Sequence, residues 1–185
     1  MQSNIFSAAG EAYHVNHIIH ASGVWEVPEE KRKNDRTHAF KLVTTVGSTY
    51  CYYKDDEAAR KARAALSAML AAAKPSVFRH RSDVLDPRHI VSIGNVVALK
   101  NPQGELTHAV IVTLATSDVR NNKVWLKYKS EETATKGRRI LYAVVAKANE
   151  SQGDAPQDTD DTNTAEPVAV AEGAAPASDK EGLPF

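Results

Sequence analysis

The sequence of 185 residues contains one cysteine, Cys51, so no internal disulfide is possible and its cysteine content gives no sign of secretion. The first residues lack the basic stretch and the long apolar run of a signal peptide. The longest apolar run, residues 64–73, is interrupted by Ser67 and is too short to cross a bilayer. These absences predict a soluble, cytoplasmic protein that has no membrane partner.

Recognisable catalytic patterns are also missing. No nucleophile motif, phosphate-binding loop or paired carboxylates stand out, so we expect no enzymatic activity and no cofactor. His14, His17 and His20 are spaced three residues apart, and on a strand the middle one would face away from the other two. No cysteine pair or carboxylate cluster supports them as ligands, and we predict no metal site.

Basic residues are nearly absent from the C-terminal segment, residues 148–185. This segment has nine acidic residues and one basic residue, Lys180, and therefore a net charge of −8. The preceding body then holds 22 basic and 14 acidic residues, a net charge of +8. A basic body joined to an acidic tail is typical of proteins that bind polyanions, although the same basic residues are compatible with an ordinary solvated surface.

The body contains an internal repeat. Blocks of similar sequence recur in the same order, with residues 17–24 matching 89–96, 37–40 matching 107–110 and 53–57 matching 128–132. Beyond the last block, the matching residues are Ala59, Lys61, Arg63 and Leu66 with Ala134, Lys136, Arg138 and Leu141. The offset varies only between the blocks, where loops tolerate insertions. Each copy is rich in Val, Ile, Thr and aromatic residues over three runs, which predict strands at 17–27, 38–46, 49–53, 89–100, 108–115 and 124–128.

A helix follows the third strand of each copy. Asp55 and Ser130 are suitable N-cap residues, and each is followed by acidic residues in the first turn. Gly137 is a weak point in the second helix. The predicted apolar stripes are Ala58, Ala62, Leu66, Met69 and Leu70 in the first helix, with Arg60, Lys61 and Arg63 elsewhere, and Ile140, Leu141, Val144 and Val145 in the second.

These elements predict an α+β fold with antiparallel sheets. Two tandem β-β-β-α repeats, residues 14–75 and 85–147, pack with pseudo-two-fold symmetry into one domain, residues 14–147, because a single helix cannot cover a core alone. Residues 76–87 form a short connector, and a turn is expected at residues 101–104.

The third strand of each copy predicts a binding surface. Side chains alternate between the faces of a strand, so Cys51 and Leu126 are assigned to the core under the helices. Aromatic and cationic side chains on the open face suit single-stranded nucleic acid, whose bases stack on rings and whose phosphates bind cations. The same rings also suit a contact between repeats or between subunits of a homo-oligomer. The residues of this candidate surface are Trp25, Lys41, Tyr50, Tyr52, Trp125 and Lys127.

A basic loop separates the first two strands of the first copy. It contains Lys31, Arg32, Lys33 and Arg36, close in sequence to three acidic residues. This loop either clamps a phosphate backbone or is a solvated loop of mixed charge.

The tail from residue 148 onward is composed mainly of Ala, Pro, Asp, Glu, Thr and Gly, which predicts disorder. Its end is different, because Leu183, Pro184 and Phe185 place an apolar tip and an aromatic ring after acidic residues. This ending resembles the C-terminal tip of bacterial single-stranded DNA-binding proteins. The resemblance implies that the tip recruits replication, recombination and repair proteins.

The body does not show the single five-stranded unit of an oligonucleotide-binding barrel. Its repeated plan is similar in architecture to Pur-alpha-type and Whirly-type single-strand binders, a likeness that rests on no shared motif. The sequence therefore predicts a non-enzymatic single-stranded DNA-binding protein of a bacterium or bacteriophage-infected cell, associated with the nucleoid. The alternatives are a regulator that binds double-stranded DNA or RNA, and a protein-interaction adaptor that binds no nucleic acid.

Overall fold

The computed structural model describes residues 4–8, 10–32, 34–74 and 76–150, and in this part of the chain the elements are as follows. The strands are β1 (Ile5–Ala8), β2 (Glu11–His14), β3 (Ile18–Ala21), β4 (Trp25–Glu26), β5 (His38–Thr44), β6 (Ser48–Tyr53), β7 (Phe78–His80), β8 (Asp83–Leu85), β9 (Ile90–Gln103), β10 (Leu106–Leu114) and β11 (Lys123–Tyr128). The helices are α1 (Asp56–Ala73) and α2 (Glu131–Glu150).

Two groups of predicted residues lie outside the described part of the chain. Lys33 is one of them, and the tail from Ser151 onward is the other, including Leu183, Pro184 and Phe185. The disorder of the tail therefore stays a prediction. Helix α2 continues to Glu150, three residues beyond the predicted boundary of the tail, and Ala148 is 2% exposed in that helix.

The strands form antiparallel sheets, which confirms the predicted α+β class. Strands β1 and β2 pair as a hairpin. A six-stranded sheet has the order β4-β5-β3-β8-β7, with β6 paired to β5. A separate three-stranded sheet has the order β11-β10-β9.

Both helices begin where their caps predict. The Asp55 carboxylate accepts a hydrogen bond from the backbone N of Ala58 at 2.8 Å, and the Ser130 hydroxyl accepts one from the backbone N of Thr133 at 3.2 Å. Each cap satisfies a donor that the first helical turn leaves unpaired. Two residues therefore separate the third strand from the helix in each predicted copy.

Each helix covers a hydrophobic core. Helix α1 contributes Leu66 and Leu70 to a core that contains Phe40 and Leu42 of β5, together with Cys51. Helix α2 covers the other core, whose buried residues are Ile19, Val43, Phe78, Leu85, Val110, Val112, Leu114, Val124, Leu126, Tyr128, Ala134 and Leu141. Ile19 and Val43 belong to the first predicted copy, so the second core is built from both predicted copies.

Two helix residues occupy positions other than those predicted. Arg63 is 6% exposed, although it was placed outside the apolar stripe, because its guanidinium binds backbone oxygens of the sheet. Ile140 is 49% exposed, because the adjacent Leu141 takes the buried position. Gly137 has a packing role, since a Cβ at this position would collide with the ring of Tyr128.

The predicted first strand, residues 17–27, is wrong and is replaced by β3 and β4. Ser22 interrupts it, because the Ser22 hydroxyl accepts a hydrogen bond from the backbone N of Lys41 at 2.8 Å. A side-chain oxygen thus takes a donor that a ladder carbonyl would otherwise use. Pairing with β5 resumes where Trp25 lies opposite Ala39.

Two other chain segments are more ordered than predicted. The connector at residues 76–87 contains the hairpin β7–β8, whose residues Phe78, Val84 and Leu85 are buried. Strand β9 runs through the turn predicted at residues 101–104. The chain reverses only at Gly104, whose φ of +59° lies in the left-handed region that favours glycine.

Several hydrogen bonds occur twice, at positions that the alignment of the two copies makes equivalent. In the first pair a threonine hydroxyl donates to the backbone before each helix. In the second an arginine of each helix donates to a backbone oxygen of the predicted first strand, and in the third the backbone N of one segment donates to the backbone O of another. The pairs are Thr37 Oγ1 to Lys54 O (2.7 Å) with Thr107 Oγ1 to Lys129 O (2.8 Å), Arg63 Nε to Ser22 O (2.7 Å) with Arg138 Nε to Gly94 O (2.8 Å), and Thr45 N to His17 O (3.0 Å) with Ala115 N to His89 O (2.8 Å).

Candidate nucleic-acid interface

Alternation along β6 places Tyr50 and Tyr52 on the face opposite the buried Cys51. Cys51 is fully buried under α1, whereas Tyr50 on the opposite face is 43% exposed and Tyr52 is half-buried. Burial raises the pKa of the Cys51 thiol to about 12, and the charge of Glu11 adds to this shift. Cys51 is therefore a structural residue, and Tyr50 and Tyr52 present their rings on the opposite face, where a ligand can reach them.

Three aromatic rings gather on this face. The ring of Trp25 meets the ring of Tyr50 edge-on, with centroids 5.9 Å apart, and the rings of Tyr50 and Tyr52 are tilted with centroids 6.3 Å apart. Ala39 lies between Trp25 and Tyr52 in the strand register, and its small side chain leaves room for both rings. The short strand β4 thus positions a ring beside two rings of β6.

These rings line a cleft of about 690 Å³, which we call the ring cleft. Its lining residues are Trp25, Glu26, Val27, Pro28, Lys31, Tyr50 and Tyr52. Four of the predicted site residues, Trp25, Lys31, Tyr50 and Tyr52, therefore meet at one place. Lys31 is exposed at the end of a short 3-10 turn, Glu29–Lys31, and supplies a cation at the cleft.

Glu26, Val27 and Pro28 were not predicted to belong to the site. Glu26 ends β4, and Val27 and Pro28 begin the chain reversal after it, where neither alternation nor helical periodicity gives a signal. Proline is a turn signal, and Pro28 directly precedes the 3-10 turn that carries Lys31. Pro28 is therefore the sequence feature that comes closest to indicating this arrangement.

Arg32 is held by the segment that lines the ring cleft. Its Nε donates to the backbone O of Val27 at 3.1 Å, and its Nη2 donates to Glu26 Oε1 at 2.9 Å. Arg32 therefore fixes the shape of the reversal and neutralises Glu26. Of the four basic residues of this loop, Lys31 lines the cleft, Arg32 supports it, Arg36 is exposed and is not among the lining residues, and Lys33 lies outside the described residues.

Lys41 is bound within the protein. Its Nζ donates to Asn121 Oδ1 at 3.1 Å, in the loop between β10 and β11. Burial lowers the pKa of Lys41, and the nearby carboxylate of Asp118 partly opposes that shift. Lys41 thus connects β5 to the second half of the chain and is not among the residues that line the ring cleft.

Trp125 and Lys127 lie on β11 and belong to the three-stranded sheet. Trp125 is 47% exposed opposite Ile111, and Lys127 is half-buried opposite Ala109. The ring cleft is part of the six-stranded sheet, so the predicted residues fall on two sheets. The described residues therefore do not form the predicted single open sheet that carries rings of both copies.

The described residues show no group of three or more His, Cys, Asp or Glu side chains arranged to hold a metal ion. Within the same part of the chain, neither helix is long and apolar enough to span a membrane.

No protein-family model, curated protein or solved structure matches the chain. The function of the protein is therefore inferred from its sequence and from the geometry of the site.

Proposed function

We propose that this protein binds single-stranded DNA without catalysing a reaction, in DNA replication, recombination or repair in the cytoplasm of a bacterial or phage-infected cell. The observation that carries the proposal is the ring cleft, in which Trp25, Tyr50 and Tyr52 converge beside Lys31. Unpaired bases stack on such rings, and the ammonium group of Lys31 binds a phosphate.

The energy of stacking favours unpaired bases over duplex as the ligand. Each base stacked on an aromatic side chain contributes about 1–3 kcal/mol, and a duplex keeps its bases stacked on one another. Tyr50 is exposed in the unbound protein, so its ring meets a base without prior unfolding of the sheet. Three neighbouring rings suit two or three consecutive bases.

The proposal includes a duplicated body. The hydrogen bonds of Arg63 with Ser22 and of Arg138 with Gly94 support two related β-β-β-α repeats around a pseudo-two-fold axis. Strand β11 is the counterpart of β6 in this interpretation, and its exposed Trp125 marks a second surface for bases on the other sheet.

The tail supplies the proposed link to other proteins. Residues 151–185 contain eight acidic residues and one basic residue and end with Leu183, Pro184 and Phe185. An apolar segment with an aromatic ring that follows acidic residues fits a small apolar pocket that is edged by Arg or Lys. The likeness of this ending to the tip of bacterial single-stranded DNA-binding proteins supports a role in recruiting replication and recombination proteins.

Fluorescence anisotropy with labelled oligo-dT, at about 50 mM salt where electrostatic attraction is strong, tests the function. We expect saturable binding by the wild-type protein. The double variant Tyr50→Ala, Tyr52→Ala should bind at least about tenfold more weakly, because it loses two stacking rings. A Trp125→Ala variant in the same titration measures how much the three-stranded sheet contributes to the affinity.

The matched control is Tyr142→Ala, which removes an equally exposed tyrosine from α2. Its affinity for oligo-dT should equal that of the wild type, and circular dichroism checks the fold of every variant. Wild-type affinity in the Tyr50, Tyr52 double variant would show that the ring cleft is not the site. A loss confined to duplex DNA or RNA would favour a regulator, and a flat wild-type titration would favour an adaptor.

A further inference from the structure

A second cleft is rich in arginine and is lined in part by α1, which covers the sheet face opposite the rings. Its volume is about 430 Å³, and we call it the arginine cleft. The chain passes directly from one cleft to the other, because Val24 lines the arginine cleft and Trp25 lines the ring cleft. The residues lining the arginine cleft are Val24, Arg60, Arg63, Ala64, Ser67, Arg79, Arg81, Ser82, Asp83 and Val84.

Arg63 places a buried positive charge at the base of this cleft. Its guanidinium donates to the backbone oxygens of Ser22 at 2.7 Å and of Ala21 and Ser82 at 2.9 Å each, and to the hydroxyl of Ser67. All four acceptors are neutral, and within the described residues Arg63 forms no ion pair with a carboxylate. The positive charge of Arg63 is therefore not balanced by a bound carboxylate of the described residues, and it can attract an anion.

Arg79 and Arg81 extend this positive charge to the surface. Both side chains are exposed, and neither forms an ion pair with another residue of the described chain. Arg79 lines the same cleft as Arg63. Burial lowers the pKa of Arg63, Asp83 opposes this shift, and the like charge of Arg79 adds to the decrease. Such repulsion between like charges is relieved when an anion binds between them.

The backbone holds Arg81 in an unfavourable conformation. Arg81 and Ser82 form the two-residue turn of the β7–β8 hairpin, and the φ of Arg81 is +54°. The turn is pinned to the sheet, because Arg63 binds the carbonyl of Ser82 and a Cβ at Gly23 would collide with the Ser82 side chain. Strain of this kind occurs preferentially where a side chain is positioned for binding.

Asp83, the carboxylate that lines the cleft, and Asp56, which binds Arg60, both contact other side chains. Asp83 Oδ1 lies 3.3 Å from Nε2 of the buried His20, and Asp56 Oδ2 accepts a hydrogen bond from Arg60 Nε at 2.6 Å. The other lining residues add hydroxyls and apolar groups but no further negative charge. The cleft thus combines four guanidinium groups with one carboxylate of its own.

We propose that the arginine cleft binds a backbone phosphate of the same single strand whose bases stack in the ring cleft. This assignment rests on the proposed function. Guanidinium groups match the oxygens of a phosphate in geometry and charge, and the ring cleft alone offers Lys31 as its basic lining residue. Bases and backbone are then held on the two sides of one chain segment, residues 22–27.

The test is the double variant Arg79→Gln, Arg81→Gln, which leaves the structural Arg63 intact. Its affinity for oligo-dT is measured by anisotropy between about 50 and 200 mM salt. We expect affinity at the lowest salt to fall about fivefold or more, and the slope of log K against log salt to decrease by about 0.7 for each phosphate that the variant no longer binds. The Tyr50, Tyr52 variant should bind more weakly with little change in slope.

The control variant Lys136→Gln, Arg139→Gln removes two exposed charges from α2. An equal loss of affinity in this control would show a general charge effect and would overturn the assignment, as would an unchanged slope in the Arg79, Arg81 variant. Both results leave the proposed function standing if the ring variant still weakens binding. Saturable binding of thymidine monophosphate that the Arg79, Arg81 variant loses, while oligo-dT affinity stays unchanged, would assign the cleft to a small phosphate compound instead.

Discussion

Asp86 connects the two halves of the chain through buried charges. Asp86 Oδ2 lies 2.8 Å from Lys74 Nζ at the end of α1, and both side chains are 2% exposed. Arg88 binds the same carboxylate with its Nε at 3.0 Å and its Nη2 at 2.8 Å. The carboxylate also caps the 3-10 turn that leads into β9 by accepting from the backbone N of Arg88.

We predict that Asp86→Asn strongly destabilises the protein. The substitution leaves the Lys74 ammonium buried without a compensating charge, and breaking a buried pair in this way costs about 3–5 kcal/mol. Urea denaturation at pH 7 measures the free energy of unfolding. Glu105→Gln is the control, because its exposed ion pair with Lys129 should contribute less than about 1 kcal/mol.

The pH dependence of stability provides a second readout for Asp86. Burial pushes the pKa of this carboxyl upward, but the hydrogen bonds from Arg88 and Lys74 outweigh it and hold the pKa well below its ordinary value. The stabilisation is present above the unfolded pKa of about 3.9 and is lost as the pH falls toward the folded value. Unfolding of Asp86→Asn should therefore depend less on pH below about pH 4, and equal acid sensitivity of both proteins would contradict this role.

Single residues show how far the sequence could predict the site. The caps Asp55 and Ser130 and the alternation at Cys51 and Leu126 are local signals, and the structure bears out each of them. The burial of Arg63 was not predictable, because its acceptors lie about 20 and 40 residues away along the chain.

At the level of elements, the β7–β8 hairpin is the clearest departure from the sequence expectation. Each strand has three residues, which is too short to display a period of two. The turn residues Arg81 and Ser82 are not the Asn-Gly or Asp-Gly pair that normally marks a two-residue hairpin. Pairing with β3 and burial of Phe78 and Leu85 create the hairpin, and these contacts are long-range.

We predict that Arg81→Gly stabilises the fold and weakens DNA binding. Glycine adopts the φ of +54° without the strain of about 1–2 kcal/mol that a side chain introduces. After the added backbone entropy of the unfolded state, we expect a net gain of about 0.5 kcal/mol and a Tm higher by about 2 °C. Calorimetry and oligo-dT anisotropy measure the two effects.

Arg81→Gln is the comparison for this substitution. It removes the charge but retains a side chain at the strained position, so it should weaken DNA binding without raising the Tm. A Tm that rises equally in both variants would show that charge repulsion, and not backbone strain, limits the stability of the hairpin.

For the whole molecule, the two predicted copies are joined more tightly than their sequences indicate. The loop before β11 contacts the β5–β6 turn, where Ser117 Oγ donates to the backbone O of Val46 and Ser48 Oγ donates to Asp118 Oδ2, both at 2.8 Å. Ile19 and Val43 of the first half lie in the core of the second. The sequence predicted the repeat, but nothing local in it specifies which side chains cross between the copies.

We predict that removing residues 151–185 tightens DNA binding at low salt. The deletion takes away a net charge of −7 and leaves residues 1–150 with +7, so the remaining protein attracts phosphates more strongly. It begins after Glu150 because a deletion from Ala148 would remove a buried residue of α2. Anisotropy with oligo-dT at about 50 mM salt measures the change.

Deletion of only Leu183, Pro184 and Phe185 is the control for this experiment, because it keeps every acidic residue of the tail. Its DNA affinity should match that of the full chain, whereas binding to replication or recombination proteins should be abolished. Equal DNA affinity of the full chain and the chain that ends at Glu150 would show that the acidic tail does not compete with DNA.

Cys51 is buried in the core under α1, and its raised pKa keeps the sulfur protonated at neutral pH. Alkylating reagents attack the thiolate, so the folded chain leaves them without a target. In a variant with a cysteine introduced at the surface, only the introduced cysteine would then react with a fluorophore or crosslinker. Slow alkylation of Cys51 itself would report the rate at which this core opens.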